Sequence, residues 1–182
     1  MPRFSKLLVL DLDETLIYAT DDYAELLDEP EPGDFSVGPY LVRRRPGVEE
    51  FLARCLEWFE VGVWTASTLD YARPVLSRLV ALERLSFIWG RERCTRRTDL
   101  DTREGYWVKD LKKLRRRGYD ISKIIFVDDT PRKLERSYGN LVHIRAFRGA
   151  PEDRQLDALL AYLERLGEVA DIRRVDKRFW SR

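Results

Sequence analysis

Short apolar runs alternate with amphipathic stretches along this 182-residue chain. Residues 6–10, 61–64, 123–127 and 141–144 are brief, rich in branched side chains and bounded by polar segments, the pattern of buried strands. Residues 86–89 form a weaker fifth run. Between these runs, apolar positions recur every three or four residues. Val48, Phe51, Leu52, Cys55, Leu56 and Phe59 share one face of a helix over 48–59. Residues 71–85, 108–117 and 155–166 read the same way, with Pro74 expected to kink or restart the first of these. Strands alternating with helices predict an α/β fold, a central and mainly parallel sheet covered on both faces.

Two stretches break the rhythm. Residues 21–40 carry seven acidic residues and no basic one, with three prolines and two glycines, and read as an acidic flap-like insertion. Residues 91–105 are polar and of mixed charge, a loop insertion ahead of a helix. Long loops in a small domain are often functional. One domain over 1–170 is expected, large enough to build a core without staples. The basic end, 171–182, holds two aromatics and is either a docking tail or a loosely packed segment.

Composition narrows the function classes. Basic and acidic residues number 33 and 32, for a net charge of +1, which argues against nucleic-acid binding through bulk charge. Two distant cysteines, Cys55 and Cys94, make a disulfide framework improbable, and a reducing cytoplasm is the simplest home. The single histidine, His143, rules out a multi-histidine metal cluster from this chain and reads as a packing or hydrogen-bonding residue. Every apolar run is too short to span a membrane, so no membrane partner is expected.

The chemistry lies in the acids. Asp11, Asp13 and Glu14 directly follow the first apolar run. Ligands in open α/β sheets gather beyond the carboxyl ends of the strands. Asp11 and Asp13 stand at such an end, as do Asp128 and Asp129 in "FVDDTP" and Thr65 in "VWTAS". Thr130 and Pro131 already make a helix start, with Gly139 near its end, which leaves Asp128 and Asp129 without a capping role. Ionised carboxylates at roughly 4 Å repel by about 4 kcal/mol per pair at an effective dielectric of about 20. Such a cluster needs protonation or a cation. Hard oxygen ligands without histidine or thiolate favour Mg²⁺ over zinc, and Mg²⁺ suits phosphate chemistry. Lys109, expected to open a helix, is the leading candidate for a positive group facing a phosphoryl group.

These motifs resemble a known family. "DLDETL" (11–16) is similar to the DxDxT signature of the FCP/SCP-like phosphatases, the RNA polymerase II C-terminal-domain phosphatase group of the haloacid dehalogenase superfamily. "VRRRPGVEEFL" (42–52), "WTASTLDYARPV" (64–75), "YWVKDL" (106–111) and "FVDDTP" (126–131) resemble further blocks of the family, in family order. The resemblance implies that Asp11 is the nucleophile forming an aspartyl-phosphate and that Asp13 is the general acid and base. Thr65 and Lys109 would bind the phosphoryl group, supported by Thr15, Ala66 and Ser67. Mg²⁺ would be held by Asp11, the Asp13 backbone carbonyl and the pair Asp128/Asp129, whose division of labour stays open because some relatives carry asparagine at the second position.

No large cap domain is visible, so an open site for a phosphorylated protein or peptide, at phosphoserine or phosphothreonine, is the expected substrate class. A small-molecule or nucleic-acid-end phosphatase would use the same residues, with arginines 43–45 and 115–117 as steering patches. A non-catalytic phospho-binding module is the third reading, and the complete set of acids and Lys109 counts against it.

Overall fold

The computed structural model describes residues 1–22 and 34–181. The chain begins with β1 (Leu7–Leu10), β2 (Ile17–Thr20), β3 (Phe35–Val37) and β4 (Tyr40–Arg44), followed by α1 (Val48–Trp58) and β5 (Glu60–Trp64). Next come α2 (Leu69–Ser77), β6 (Phe87–Trp89), β7 (Thr95–Thr98), β8 (Gly105–Val108) and the single turn α3 (Lys112–Arg115). The last elements are β9 (Ile124–Asp128), β10 (Leu141–His143) and α4 (Gln155–Gly167).

The central sheet has the order β10-β9-β1-β5-β6, with every pairing parallel. All five expected strands are present and form this one sheet. β1 is wholly buried because it is covered on both faces. Its side chains alternate: Leu8 and Leu10 join the layer of α1, α2 and α4, while Leu7 and Val9 join Trp64, Phe126, Leu111 and Leu114 on the other face. The fold is the expected three-layer α/β arrangement.

Several local expectations fail for physical reasons. The acidic stretch is not simply a loop: its end forms β3, and β2, β4 and β3 build an antiparallel sheet of order β2-β4-β3. Residues 23–33 of that stretch lie outside the described residues. Residues 91–105 are not a plain loop either; after a 3₁₀ turn at Arg91–Arg93, β7 and β8 pair as an antiparallel hairpin. β7 is almost wholly solvent-facing and carries no apolar alternation to betray it. The helix expected over 108–117 shrinks to α3, since Val108 is the last residue of β8. The helix over 71–85 ends at Ser77, three residues past Pro74, and a separate 3₁₀ turn covers Leu82–Arg84. Thr130 opens a 3₁₀ turn, Pro131–Leu134, and a second one at Tyr138–Asn140 replaces the expected helix.

The basic end docks. Ile172 is fully buried, Trp180 stacks on Tyr162 at 5.7 Å, and the Trp180 indole N–H donates to the His143 carbonyl at 2.7 Å. Among the described residues, no helix is long and apolar enough to cross a membrane.

Arginines 43–45 form no open patch. Arg43 pairs with Asp34, Arg44 with Glu49, and Arg45 is completely buried. Arg45 donates to both Asp153 oxygens at 2.8 and 2.9 Å, to the Thr15 carbonyl at 3.0 Å and to the Arg145 carbonyl at 3.0 Å. One guanidinium thereby ties the end of β4, the loop after β1 and the approach to α4.

Two substitutions test this packing. A Cβ at Gly62 would lie 2.4 Å from the Phe87 ring, which is wedged against Trp89 at 4.7 Å. Gly62→Ala should therefore cost about 1–3 kcal/mol of stability in chemical denaturation, the usual range for overpacking. Arg45→Met should cost about 3–5 kcal/mol in the same measurement, because it strands the mostly buried Asp153 carboxylate.

Candidate active site

The chain steps from β1 outward to β5 and β6 on one side, then returns to add β9 and β10 on the other. The strand order reverses between β1 and β9, the place where α/β sheets leave a crevice. The register pairs Leu10 with Val127, so the next residues, Asp11 and Asp128, emerge side by side. The Asp11 backbone N–H, donating to the Val127 carbonyl at 2.9 Å, extends that register by one residue. The following turn is tight: the Leu16 N–H donates to the Leu12 carbonyl at 2.8 Å, and Glu14 sits at φ 60°. A non-glycine residue in the left-handed region is held there by its surroundings, here by the Phe147 N–H donating to the Glu14 carbonyl at 2.7 Å.

Two adjacent buried carboxylates would repel strongly. Lys109 lies between them, fully buried, with its ammonium 2.8 Å from Asp11 Oδ1 and 2.7 Å from Asp128 Oδ2. Lys109 does not open a helix. It follows the last residue of β8, and its N–H donates to the Lys133 carbonyl at 2.7 Å. A second ammonium, that of Lys133, stands 2.7 Å from Asp11 Oδ2, 3.5 Å from Asp128 Oδ1 and 3.4 Å from Asp129 Oδ1. Burial alone would raise the Asp11 pKa, but the two ammonium groups override it and hold the carboxyl well below the usual carboxylate range. Asp128 is pushed the other way, up to about 7, by burial and then by the charge on Asp11.

Asp13 turns from this cluster toward β5 and α2. Its Oδ2 accepts from the Ser67 hydroxyl at 2.8 Å and the Thr65 hydroxyl at 3.2 Å, and its Oδ1 from the Tyr71 hydroxyl at 3.0 Å. Three donors favour the charged form, yet burial and the neighbouring Asp11 charge outweigh them and raise the Asp13 pKa. The two aspartates of one short motif thus face opposite electrostatic surroundings.

Thr65 and Ser67 share this rim: the Thr65 hydroxyl also accepts the Ser67 backbone N–H at 3.0 Å. Thr15 is buried, but its hydroxyl makes no hydrogen bond, and its carbonyl carries the contact to Arg45. Asp128 does have a capping role, because its Oδ1 accepts the Thr130 N–H at 2.9 Å. His143 is structural as expected, its ring Nε2 lying 2.9 Å from the Asp129 carbonyl.

Asp11, Asp128 and Asp129 each place an oxygen within 4.8 Å of the others, and the Asp13 carboxylate is not in that group. The all-oxygen donor set fits Mg²⁺, and the Lys133 ammonium, which meets an oxygen of each of the same three carboxylates, shows that they draw a cation. Sequence reasoning missed Lys133 and Tyr71. The i,i+4 spacing of Asp129 and Lys133 was the available signal for the first, and the presence of Tyr71 inside the "WTASTLDYARPV" block for the second.

A cleft of about 410 Å³ opens beside Asp13, lined by Ala19, Tyr40, Ser67, Thr68, Tyr71 and Arg91. Tyr40 and Tyr71 meet edge to face at 5.4 Å. Trp107 lies near this rim through Arg91, whose guanidinium sits 5.8 Å from the indole centre.

Comparison with known proteins places this geometry in context. The chain is 33% identical over 168 residues to the human carboxy-terminal domain RNA polymerase II polypeptide A small phosphatase 1, covering 90% of this chain and 60% of that protein. It spans about half the length, 49% and 53%, of two other curated relatives. Among solved structures, Fcp1, an essential RNA polymerase II CTD phosphatase, superposes with a TM-score of 0.67 at 17% identity, over 90% of this chain and 62% of that one. A haloacid dehalogenase-like hydrolase from Xanthomonas campestris does so at 0.56 and 12% identity, over 91% and 97% of the two chains. These two likenesses show the fold. Residues 6–173 match the family described as NLI interacting factor-like phosphatase, and the chain belongs to that family.

Proposed function

We propose that this protein is a Mg²⁺-dependent phosphomonoester hydrolase that works through an aspartyl-phosphate on Asp11. The observation that carries the reading is the contrast between Asp11 and Asp13. One carboxylate is kept ionised by two ammonium groups, and its neighbour is biased toward the protonated form. Paired carboxyls pushed apart in this way divide nucleophile and acid roles between them.

Asp11 attacks phosphorus, and the ester P–O bond breaks as Asp13 passes its proton to the leaving oxygen. Water then attacks the phosphoryl group and gives a proton to the Asp13 carboxylate. The bond between Asp11 and phosphorus breaks, releasing inorganic phosphate and restoring both side chains. Ser67 and Tyr71 aim the Asp13 carboxyl throughout, and Thr65 does so until its hydroxyl turns to the substrate. The Thr65 hydroxyl and Lys109 bind phosphoryl oxygens, with Ala66 and Ser67 shaping the same rim. Asp11, Asp128, Asp129 and the Asp13 backbone carbonyl would hold Mg²⁺, which would supply charge neutralisation at the phosphoryl group.

The substrate class we infer is a phosphoserine or phosphothreonine side chain of a protein. The open cleft beside Asp13 has aromatic walls from Tyr40 and Tyr71, which suit the flanking residues of a peptide. The names of the human relative and of Fcp1 point to phosphorylated protein tails.

Asp11→Asn should abolish turnover of p-nitrophenyl phosphate while preserving the fold by circular dichroism. Asp13→Asn should slow both leaving-group departure and dephosphorylation of the enzyme by about 10²–10⁴-fold, the usual contribution of a positioned acid. Near wild-type activity in Asp11→Asn would refute the nucleophile assignment. Across a panel of phosphopeptides, sugar phosphates, nucleotides and end-phosphorylated oligonucleotides, kcat/KM should be highest for phosphopeptides, and chelator should silence all of them. A preference for sugar phosphates or oligonucleotide ends would replace the protein-substrate reading with that class.

A further inference from the structure

Lys133 is the one ammonium in the site that the family motifs do not place. Its Nζ touches an oxygen of each of the three carboxylates suited to a divalent ion, at 2.7, 3.5 and 3.4 Å. The same three carboxylates each offer an oxygen within 4.8 Å of the others, so an ammonium and a metal ion compete for one set of ligands. Charge agrees with the geometry. Ionised as metal ligands must be, Asp11, Asp128 and Asp129 bring three negative charges, while Lys109 and Lys133 together bring two positive ones. Replacing the Lys133 ammonium with a divalent ion leaves the group balanced; adding the ion to both lysines leaves a surplus positive charge in a buried place.

The two lysines differ in their freedom to leave. Lys109 is sealed, with no exposure, and its ammonium also lies 5.3 Å from the centre of the Phe126 ring. Lys133 keeps 20% of its side chain exposed and so has a path outward. Its backbone stays anchored, because its carbonyl accepts the Lys109 N–H at 2.7 Å. A rotation about the Lys133 side-chain bonds is therefore sufficient, and neither the turn nor Lys109 has to move.

We propose that Lys133 is a built-in counter-cation of the metal site, holding Asp11, Asp128 and Asp129 together in the metal-free protein and displaced when a divalent ion binds. The inference rests on the Mg²⁺ reading of this site. It assigns Lys133 a positioning role: the ammonium preserves the ligand set without metal and, because it competes, lowers the apparent metal affinity. It also covers Asp11 Oδ2, so the metal-free enzyme carries its nucleophile in a masked form.

The test is Mg²⁺ binding by titration calorimetry to wild type and Lys133→Met, a variant of similar length without charge. Lys133→Met should bind Mg²⁺ at least tenfold more tightly, and its metal-free form should melt at lower temperature than metal-free wild type. Equal or weaker binding in Lys133→Met would overturn the inference while leaving the Mg²⁺ reading intact. No binding to either protein would overturn both. A second measurement is read on the wild-type cluster, with a variant used only for assignment. In wild type carrying ¹³Cε-labelled lysine, the Lys133 signal, assigned through Lys133→Arg, should move to a solvated position with the same Mg²⁺ midpoint as the heat signal. A signal that stays fixed while Mg²⁺ binds would show that the ammonium is not displaced.

Discussion

The Lys109 ammonium, sealed between Asp11 and Asp128, is the interaction on which the site depends. Neighbouring parallel strands β1 and β9 deliver their next residues to the same point, and both are aspartates buried to 1% exposure or less. At roughly 4 Å, two such charges would oppose folding by an amount comparable to much of a domain's stability. Lys109 turns the repulsion into a bridged triad. A buried bridge of this kind is costly to desolvate and strongly destabilising to break. Its value here is positional, because it holds an ionised carboxylate at the mouth of the strand-order reversal.

The rest of the scaffold serves that placement. β1 is apolar on both faces, so its end is fixed by the core on either side. Arg45 grips the Thr15 carbonyl, and the Phe147 N–H holds Glu14 in its left-handed conformation, so the loop carrying Asp13 has little freedom. Asp13 then meets hydroxyls from Thr65 and Ser67, beyond the end of β5, and from Tyr71 in α2. Aspartates two residues apart reach opposite environments because the chain turns sharply between β1 and β2.

Much of this was legible in the sequence, and the exceptions have physical causes. Buried parallel strands read as unbroken apolar runs, so β1, β5, β6, β9 and β10 were all visible, and strand-end polar residues followed from them. β7 was hidden because its Thr-Arg-Arg-Thr sequence is solvent-facing and carries no alternation. Arginines 43–45 looked like a surface patch, since a charged run in sequence does not disclose that Arg45 turns inward to Asp153. Lys133 offered one local signal, its i,i+4 spacing from Asp129, but its shortest carboxylate contact is with Asp11, 122 residues away in sequence. Contacts of that range are set by topology, which local pattern does not encode.

The central claim is that Asp11 itself accepts the phosphoryl group. Its most direct measurement is to quench the working enzyme with acid, reduce any acyl phosphate with borohydride and map the modified residue by peptide mass spectrometry. Reduction at Asp11, converting it to homoserine only when substrate and Mg²⁺ are both present, is the predicted result. A labelled residue elsewhere, or turnover with no reducible adduct under conditions that trap a known acyl phosphate, would contradict it.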